Sequence, residues 1–300
     1  REQFEIVQKI PKETKLFFAT HYNIPLLYRG RMLVTVYDVM HLARYDLVGG
    51  LHKWLYAALM LNATRWRAEA ILTISNFSKG ELERLTFAGK ADIHPIHLGV
   101  SDDWLTLPAQ PRPYEGRYIL YVGNVKPHKN LRALVHAYTT LAHRIPHDLV
   151  IVGRKEGFIT GDDTVVRTTA AMGDRIVFTG RVDDATLKQY FVHADVFVFP
   201  SLYEGFGLPP IEAMAAGCPT LVSSVASMPE ICGDASLYCD PENPTDIAEK
   251  LQTILDDPEL QALLRTRGRE RIKTFRWETC VRKTCAVIAE LLHGNHPVSH

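Results

Sequence analysis

The chain has 300 residues and a mass of 33.9 kDa, about twice a common single-domain length, so two domains around two cores is the first expectation. Lysine plus arginine and aspartate plus glutamate both number 34, so no net field draws the protein to nucleic acid or anionic lipid by charge alone. A hydrophobic share of 46% and a charged share of 23% exclude collagenous, low-complexity and disordered classes.

The first fifteen residues are charged and carry no apolar signal-like core, and the longest uncharged run near the N-terminus, Trp54 to Thr64, is too short to span a bilayer. The chain begins at Arg1 rather than Met, which raises the expectation that upstream residues have been removed. Met32 to Val36 reads as a strand, Leu51 to Arg67 as a long helix, Ala70 to Ser75 as a second strand, and a helix is expected from Ser78. Three prolines between Asp102 and Tyr114, with little periodicity, mark an inter-domain linker. Beyond it, near-continuous apolar runs bounded by Gly, Pro or Asp read as buried strands: Tyr118 to Gly123, Leu149 to Gly153, Ile176 to Thr179, Val196 to Pro200 and Thr220 to Ser223. Helical spacing fills the gaps over Leu131 to His143, Ala185 to His193 and Pro209 to Ala216, the last stopped by Gly217 and Pro219. This alternation predicts an α/β fold with parallel sheets wrapped by helices. A final helix, Trp277 to Leu292, lies past the last strand and is free to pack on either domain. Five cysteines without a C-x-x-C pair argue against a disulfide framework and for a reducing, cytoplasmic setting.

Two strand–loop–helix segments carry the chemistry. In Ser201-Leu-Tyr-Glu204-Gly205-Phe206-Gly207-Leu208-Pro-Pro-Ile-Glu212, a loop follows a buried strand and opens a helix, the place where open α/β sheets meet ligands. Gly205 and Gly207 allow close backbone approach, and the helix start offers unpaired N–H groups to a phosphate. Glu212, expected in the first turn, suits a ribose diol; alternatively it complements the helix dipole while Glu204 caps the helix. In Gly123-Asn124-Val-Lys126-Pro-His128-Lys129-Asn130, Lys129 precedes a helix with Asn130 as expected N-cap, and an ammonium there would stabilise charge on a departing diphosphate. Neither G-x-x-x-x-G-K-[ST] nor G-x-G-x-x-G occurs, which disfavours a Walker-type nucleotidase and a nicotinamide dehydrogenase.

Glu204 and Glu212, with seven residues between them, resemble the E-x7-E motif of the retaining GT4 glycosyltransferases. The resemblance continues through Gly123 to Asn130, Phe178 to Val182, Ala194 to Ser201, Pro229 to Asp234 and Phe275 to Trp277, and, more weakly, Leu33 to Val39, Ile74 to Ser78 and His97 to Val100. It implies a GT-B fold, two Rossmann-like β/α/β domains facing across a cleft: a shortened acceptor-side domain over 1–107, lacking a first strand and Gly-rich loop, and a donor domain over 108–276. The tail 277–300 is left to return to the first. It further implies Glu204, Lys129 and Asp38 as the catalytic set, and a donor site of Gly123, Asn124, Lys129, Arg154, Arg181, Val182, Glu204, Gly205, Phe206, Gly207, Leu208 and Glu212. Backbone near Arg181 and Val182 would meet the nucleobase.

No metal and no other cofactor is expected, in keeping with the absence of a D-x-D motif. The implied activity is retaining transfer of a sugar from a nucleotide-diphosphate donor, GDP-mannose ranked first, to a glycan or lipid-linked acceptor of surface-polysaccharide synthesis. Peripheral contact with the inner membrane face, through Lys53 to Tyr56 and Arg65 to Arg67, is a further expectation; nucleic acid is not. Asn124 and Tyr37 stand where many relatives have Arg and His. A non-catalytic nucleotide-sugar-binding subunit and a sugar-nucleotide epimerase remain the alternatives.

Overall fold

The computed structural model describes residues 2–107, 110–153 and 168–293. The chain forms two compact units, Arg1–Gly99 with Trp277–His300, and Val100–Arg276. The division falls at Gly99/Val100 instead of 107/108. Val100 forms a parallel bridge with Arg276 and its N–H donates to the Phe275 carbonyl, while buried Trp104 packs edge-on against Phe191. Those contacts bind the start of the expected linker to the second unit.

In the first unit four parallel strands lie in the order β1 (Phe17–Ala19), β2 (Met32–Val36), β3 (Ala70–Thr73) and β4 (Asp92–Pro95). β1 was not expected; three residues are too few to leave a periodic signal, yet their pairing with Met32–Val34 extends the sheet. Both faces are covered, so β2 is buried throughout. Met32, Val34, Val36 and Ile71 pack with Ala57, Met60 and Leu61 of the helix Leu51–Arg67. On the opposite face Leu33, Ala70, Leu72 and Ile96 pack with Val287 and Leu291 of the helix Trp277–His293, which places that helix on the first unit. Leu291→Ala is accordingly expected to lower stability by about 2–4 kcal/mol, from lost burial plus a residual cavity, measured by urea unfolding. The helix expected from Ser78 starts at Asn76, because Ser75 is its cap and accepts from the Ser78 N–H at 3.0 Å.

The second unit has six parallel strands: β5 (Tyr118–Val122), β6 (Asp148–Val152), β7 (Ile176–Gly180), β8 (Val196–Phe199), β9 (Thr220–Ser223) and β10 (Leu237–Cys239). Their spatial order is β10-β9-β8-β5-β6-β7. Chain order thus runs outward one way from β5 through β7 and, from β8 on, the other way, as in a dinucleotide fold, with the switch between β5 and β8. Ile119, Tyr121 and Val198 pack with Leu134, Val135 and Tyr138 of the helix Leu131–Leu141 and with Ile247 and Leu251 of the helix Pro244–Asp256. Elsewhere Phe197 stacks on Phe199 and meets Phe191 edge-on. All five cysteines are unpaired.

Candidate functional site

At the switch point the loops leaving β5 and β8 meet outside the carboxyl ends of both strands, the place where open α/β sheets receive ligands. Lys129 arrives from one loop and Glu204 from the other, and Lys129 Nζ lies 2.6 Å from Glu204 Oε1. Both side chains are sheltered, at 19% and 15% exposure, and the ammonium also sits 5.0 Å from the centre of the Phe199 ring. In such a medium a charge pair is stronger than on an open surface.

The two loops are tied to each other through the backbone. Leu202 N–H donates to the His128 carbonyl at 2.8 Å. Asn130 stands at the expected N-cap position of the helix Leu131–Leu141, but its side chain makes no cap hydrogen bond. It sits instead in the left-handed region, φ 56°, and its amide nitrogen donates to the carbonyls of Pro200 at 3.0 Å and Pro241 at 2.6 Å. One side chain thereby joins the loops after β5, β8 and β10, a role invisible from the helix pattern because both acceptors are distant in sequence. Neighbouring His128 is held neutral: burial first, then the charges of Lys129 and Lys126, push its imidazole down to about 4.

Gly123 and Asn124 follow β5, with Asn124 exposed and the Gly123 N–H given to the Val152 carbonyl. Beneath them the Tyr121 hydroxyl is fully buried with no hydrogen-bond partner, and burial, then the Glu204 charge, pushes its phenol far up. A Cβ on Gly153, whose φ is 157°, would lie 2.1 Å from the Gly123 carbonyl oxygen, so the backbone at Gly153 approaches as only glycine permits. Arg181 and Val182 follow β7, with Arg181 exposed. Arg154 lies outside the described residues.

The Glu204-to-Leu208 turn is fixed from behind. Gly207 has φ 114°, and a Cβ there would meet Met228 Cε at 2.5 Å. Ser227 Oγ donates to the Phe206 carbonyl at 2.8 Å, a support that the sequence reading missed. Phe206 was counted among the donor-binding residues, but its ring is buried edge-on against Phe275, 5.7 Å between centres, and is turned into the core.

The helix runs from Leu208 to Ala215, one residue earlier than expected, and Pro209 and Pro210 remove two of the four N–H groups its first turn would present. The amides left at the helix start are those of Gly207 and Leu208. Glu212 therefore stands in the second turn rather than the first. Half-buried, it is pushed up to about 7 by burial and then by the charges of Asp184 and Asp103, with Lys188 opposing. Asp38 belongs to the first unit, where its Oδ1 accepts at 2.9 Å from the N–H of Met40, the first residue of the helix Met40–Ala43.

An ammonium, sheltered carboxylates and helix-start amides at a Rossmann switch point can bind a nucleoside diphosphate and take up charge on its leaving phosphate. Residues 103–271 match the family of glycosyl transferases group 1. The chain is 36% identical over 232 residues to O-antigen chain mannosyltransferase B of Escherichia coli, covering 72% of this chain and 59% of that protein. It is 29% identical to O-antigen chain mannosyltransferase RfbU of Salmonella typhimurium, covering 76% of this chain and 62% of that one. The chain thus spans less than two thirds of the length of these relatives. Among solved structures it resembles Anabaena HepE, in complex with UDP and glucose, with a TM-score of 0.77 at 15% identity over 96% of this chain and 81% of that chain. At that identity the likeness shows the fold alone, which is GT-B.

Proposed function

The chain belongs to the group 1 glycosyl transferases, and we propose that it moves a hexosyl group, mannose first, from a nucleotide-diphosphate donor to a glycan or lipid-linked acceptor in surface-polysaccharide synthesis, with retained anomeric configuration. The observation that carries this reading is the Lys129–Glu204 pair at 2.6 Å across the switch point. Lys129 and the Leu208 amide take up the negative charge that grows on the diphosphate as the sugar–oxygen bond breaks, and Glu204 orients Lys129 and meets the transferred sugar. Glu212 accepts from the ribose hydroxyls, and backbone near Arg181 and Val182 borders the base. On the acceptor side Asp38 is assigned by the family motif. No resident metal is invoked, since the ammonium and the helix start supply the charge stabilisation.

That these relatives are O-antigen chain mannosyltransferases supports mannose and O-antigen chains for this chain's own reaction. No helix among the described residues is long and apolar enough to cross a membrane; attachment to a cytoplasmic membrane face would be peripheral.

Thermal shifts with GDP, UDP, dTDP and ADP test the donor half. A ligand at a hundred times its dissociation constant adds about 2.7 kcal/mol, a shift of a few degrees, expected with GDP alone. Incubation with GDP-mannose and a mannose-terminated oligosaccharide should then give an extended glycan. A new nucleotide sugar instead would mean epimerisation, and absence of both products with GDP bound would leave a binding subunit.

A further inference from the structure

Three tyrosines of the second unit are fully buried, and they differ in where the hydroxyl goes. Tyr118, at the start of β5, donates to the Tyr190 carbonyl at 2.8 Å. Tyr138, in the helix Leu131–Leu141, donates to the His147 carbonyl at 2.9 Å. Tyr121, near the end of β5, packs its ring in the core beside that helix, but its hydroxyl has no hydrogen-bond partner among the described residues. Burying a hydroxyl unpaired costs about 1–3 kcal/mol, and phenylalanine would fill the same space without that cost. For the fold alone this oxygen is a burden.

Its position gives it a use. A Cβ built on Gly123 would lie 3.3 Å from the hydroxyl oxygen, so the phenol ends directly beneath the first residue of the loop that leads to Lys129. The charge that acts on it is the Glu204 carboxylate, which adds to burial in pushing the phenol far up. The group therefore keeps its proton at every working pH and stands near Glu204 as a neutral donor.

Glu204 has need of one. Its Oε1 lies 2.6 Å from Lys129 Nζ, and both side chains are sheltered from water. A diphosphate carries negative charge that competes with the carboxylate for the same ammonium. A sheltered carboxylate whose ion pair is weakened in this way requires another hydrogen bond to stay in place.

We propose that Tyr121 is a positioning residue of the transfer: as the diphosphate draws Lys129 toward itself, the Tyr121 hydroxyl donates to Glu204 and keeps that carboxylate aimed at the sugar. This deepens the transferase reading of the Lys129–Glu204 pair and rests on it.

Tyr121→Phe tests it, since the variant keeps the ring and removes only the hydroxyl. In urea unfolding with no nucleotide added, the variant is expected to match or exceed wild type, because the atom removed has no partner to lose. Turnover with GDP-mannose should nevertheless fall about tenfold or more, the range of a lost hydrogen bond to a charged group. Affinity for GDP, which lacks the sugar that Glu204 meets, should stay within about twofold, while the preference for GDP-mannose over GDP falls several-fold. In the Glu204→Ala background the same substitution should cost no further turnover, since the group it positions is gone. A residue that merely packs would lower the urea midpoint and slow both backgrounds alike. Near-wild-type kcat in Tyr121→Phe, an equal loss in both backgrounds, or a lowered midpoint without nucleotide overturns the proposal. A wild type that binds GDP-mannose and transfers nothing would overturn the transferase reading instead. The preference for GDP-mannose over GDP then decides Tyr121 by itself: a fall in the variant upholds its hold on Glu204, and an unchanged ratio overturns it. Failure of the wild type to bind any of the four nucleoside diphosphates overturns both.

Discussion

Lys129→Ala is expected to lower kcat by about 10²–10³-fold, the loss typical of removing one preorganised donor from a developing oxyanion. Glu204→Ala should fall by a similar factor, since each member of the pair positions the other at 2.6 Å. The two effects should not add. With Glu204 gone the ammonium loses its orientation, so the Lys129→Ala, Glu204→Ala double variant should be little worse than either single one, a non-additivity seen where groups act as a unit. Stability separates this from simple damage: each single variant strands a sheltered charge and is expected to unfold at lower urea, whereas the double variant recovers part of the loss. Steady-state kinetics and urea midpoints on the three variants check both halves. Near-wild-type turnover in both single variants would remove Lys129 and Glu204 from the reaction.

How far the sequence already carried this site follows from the range of each signal. β2, β9 and the helix Leu51–Arg67 match their expected bounds to the residue, because an apolar run or a 3.6-residue period closed by a turn is local information. β1 and β10, three residues each, were not foreseen; a strand that short exists through its pairing partner rather than its own pattern. The same distinction divides the site. That Glu204, Lys129 and Gly207 fall in loops between a buried strand and a helix was legible, since strand, loop and helix start are written in consecutive residues. The Asn130 bridge to Pro200 and Pro241, the Ser227 support of Phe206 and the turning of the Phe206 ring into the core were not, because each depends on elements between 21 and 111 residues away. Glu212 shows the limit within one helix: counting from Pro209 put it in the first turn, whereas a start at Leu208 sets it in the second and deeper beside Asp184 and Asp103.

That displacement makes Glu212 a source of pH dependence. Its carboxyl stands at about 7 against an ordinary 4.5, burial being the larger cause and the two neighbouring carboxylates the next. A folded value above the unfolded one means that the folded protein holds the proton more tightly, so the associated stability is complete below about 4.5 and is lost as pH rises through about 7. The displacement corresponds to about 3 kcal/mol at most. Glu212→Gln keeps the shape and removes the ionisation, so without ligand the variant is expected to be more stable than wild type by about 2–3 kcal/mol at pH 8.5 and nearly equal to it at pH 5. Binding runs the other way. Ribose hydroxyls donate best to an ionised carboxylate, so wild-type affinity for GDP-mannose, whose diphosphate diester does not titrate in this range, should rise with pH through about 7, and the glutamine variant should lose that rise. Urea unfolding at the two pH values and titration calorimetry across the range give both signs. A variant less stable than wild type at pH 8.5 would show that the carboxylate is satisfied in the absence of donor, and an affinity profile that survives Glu212→Gln would assign the ribose to another residue.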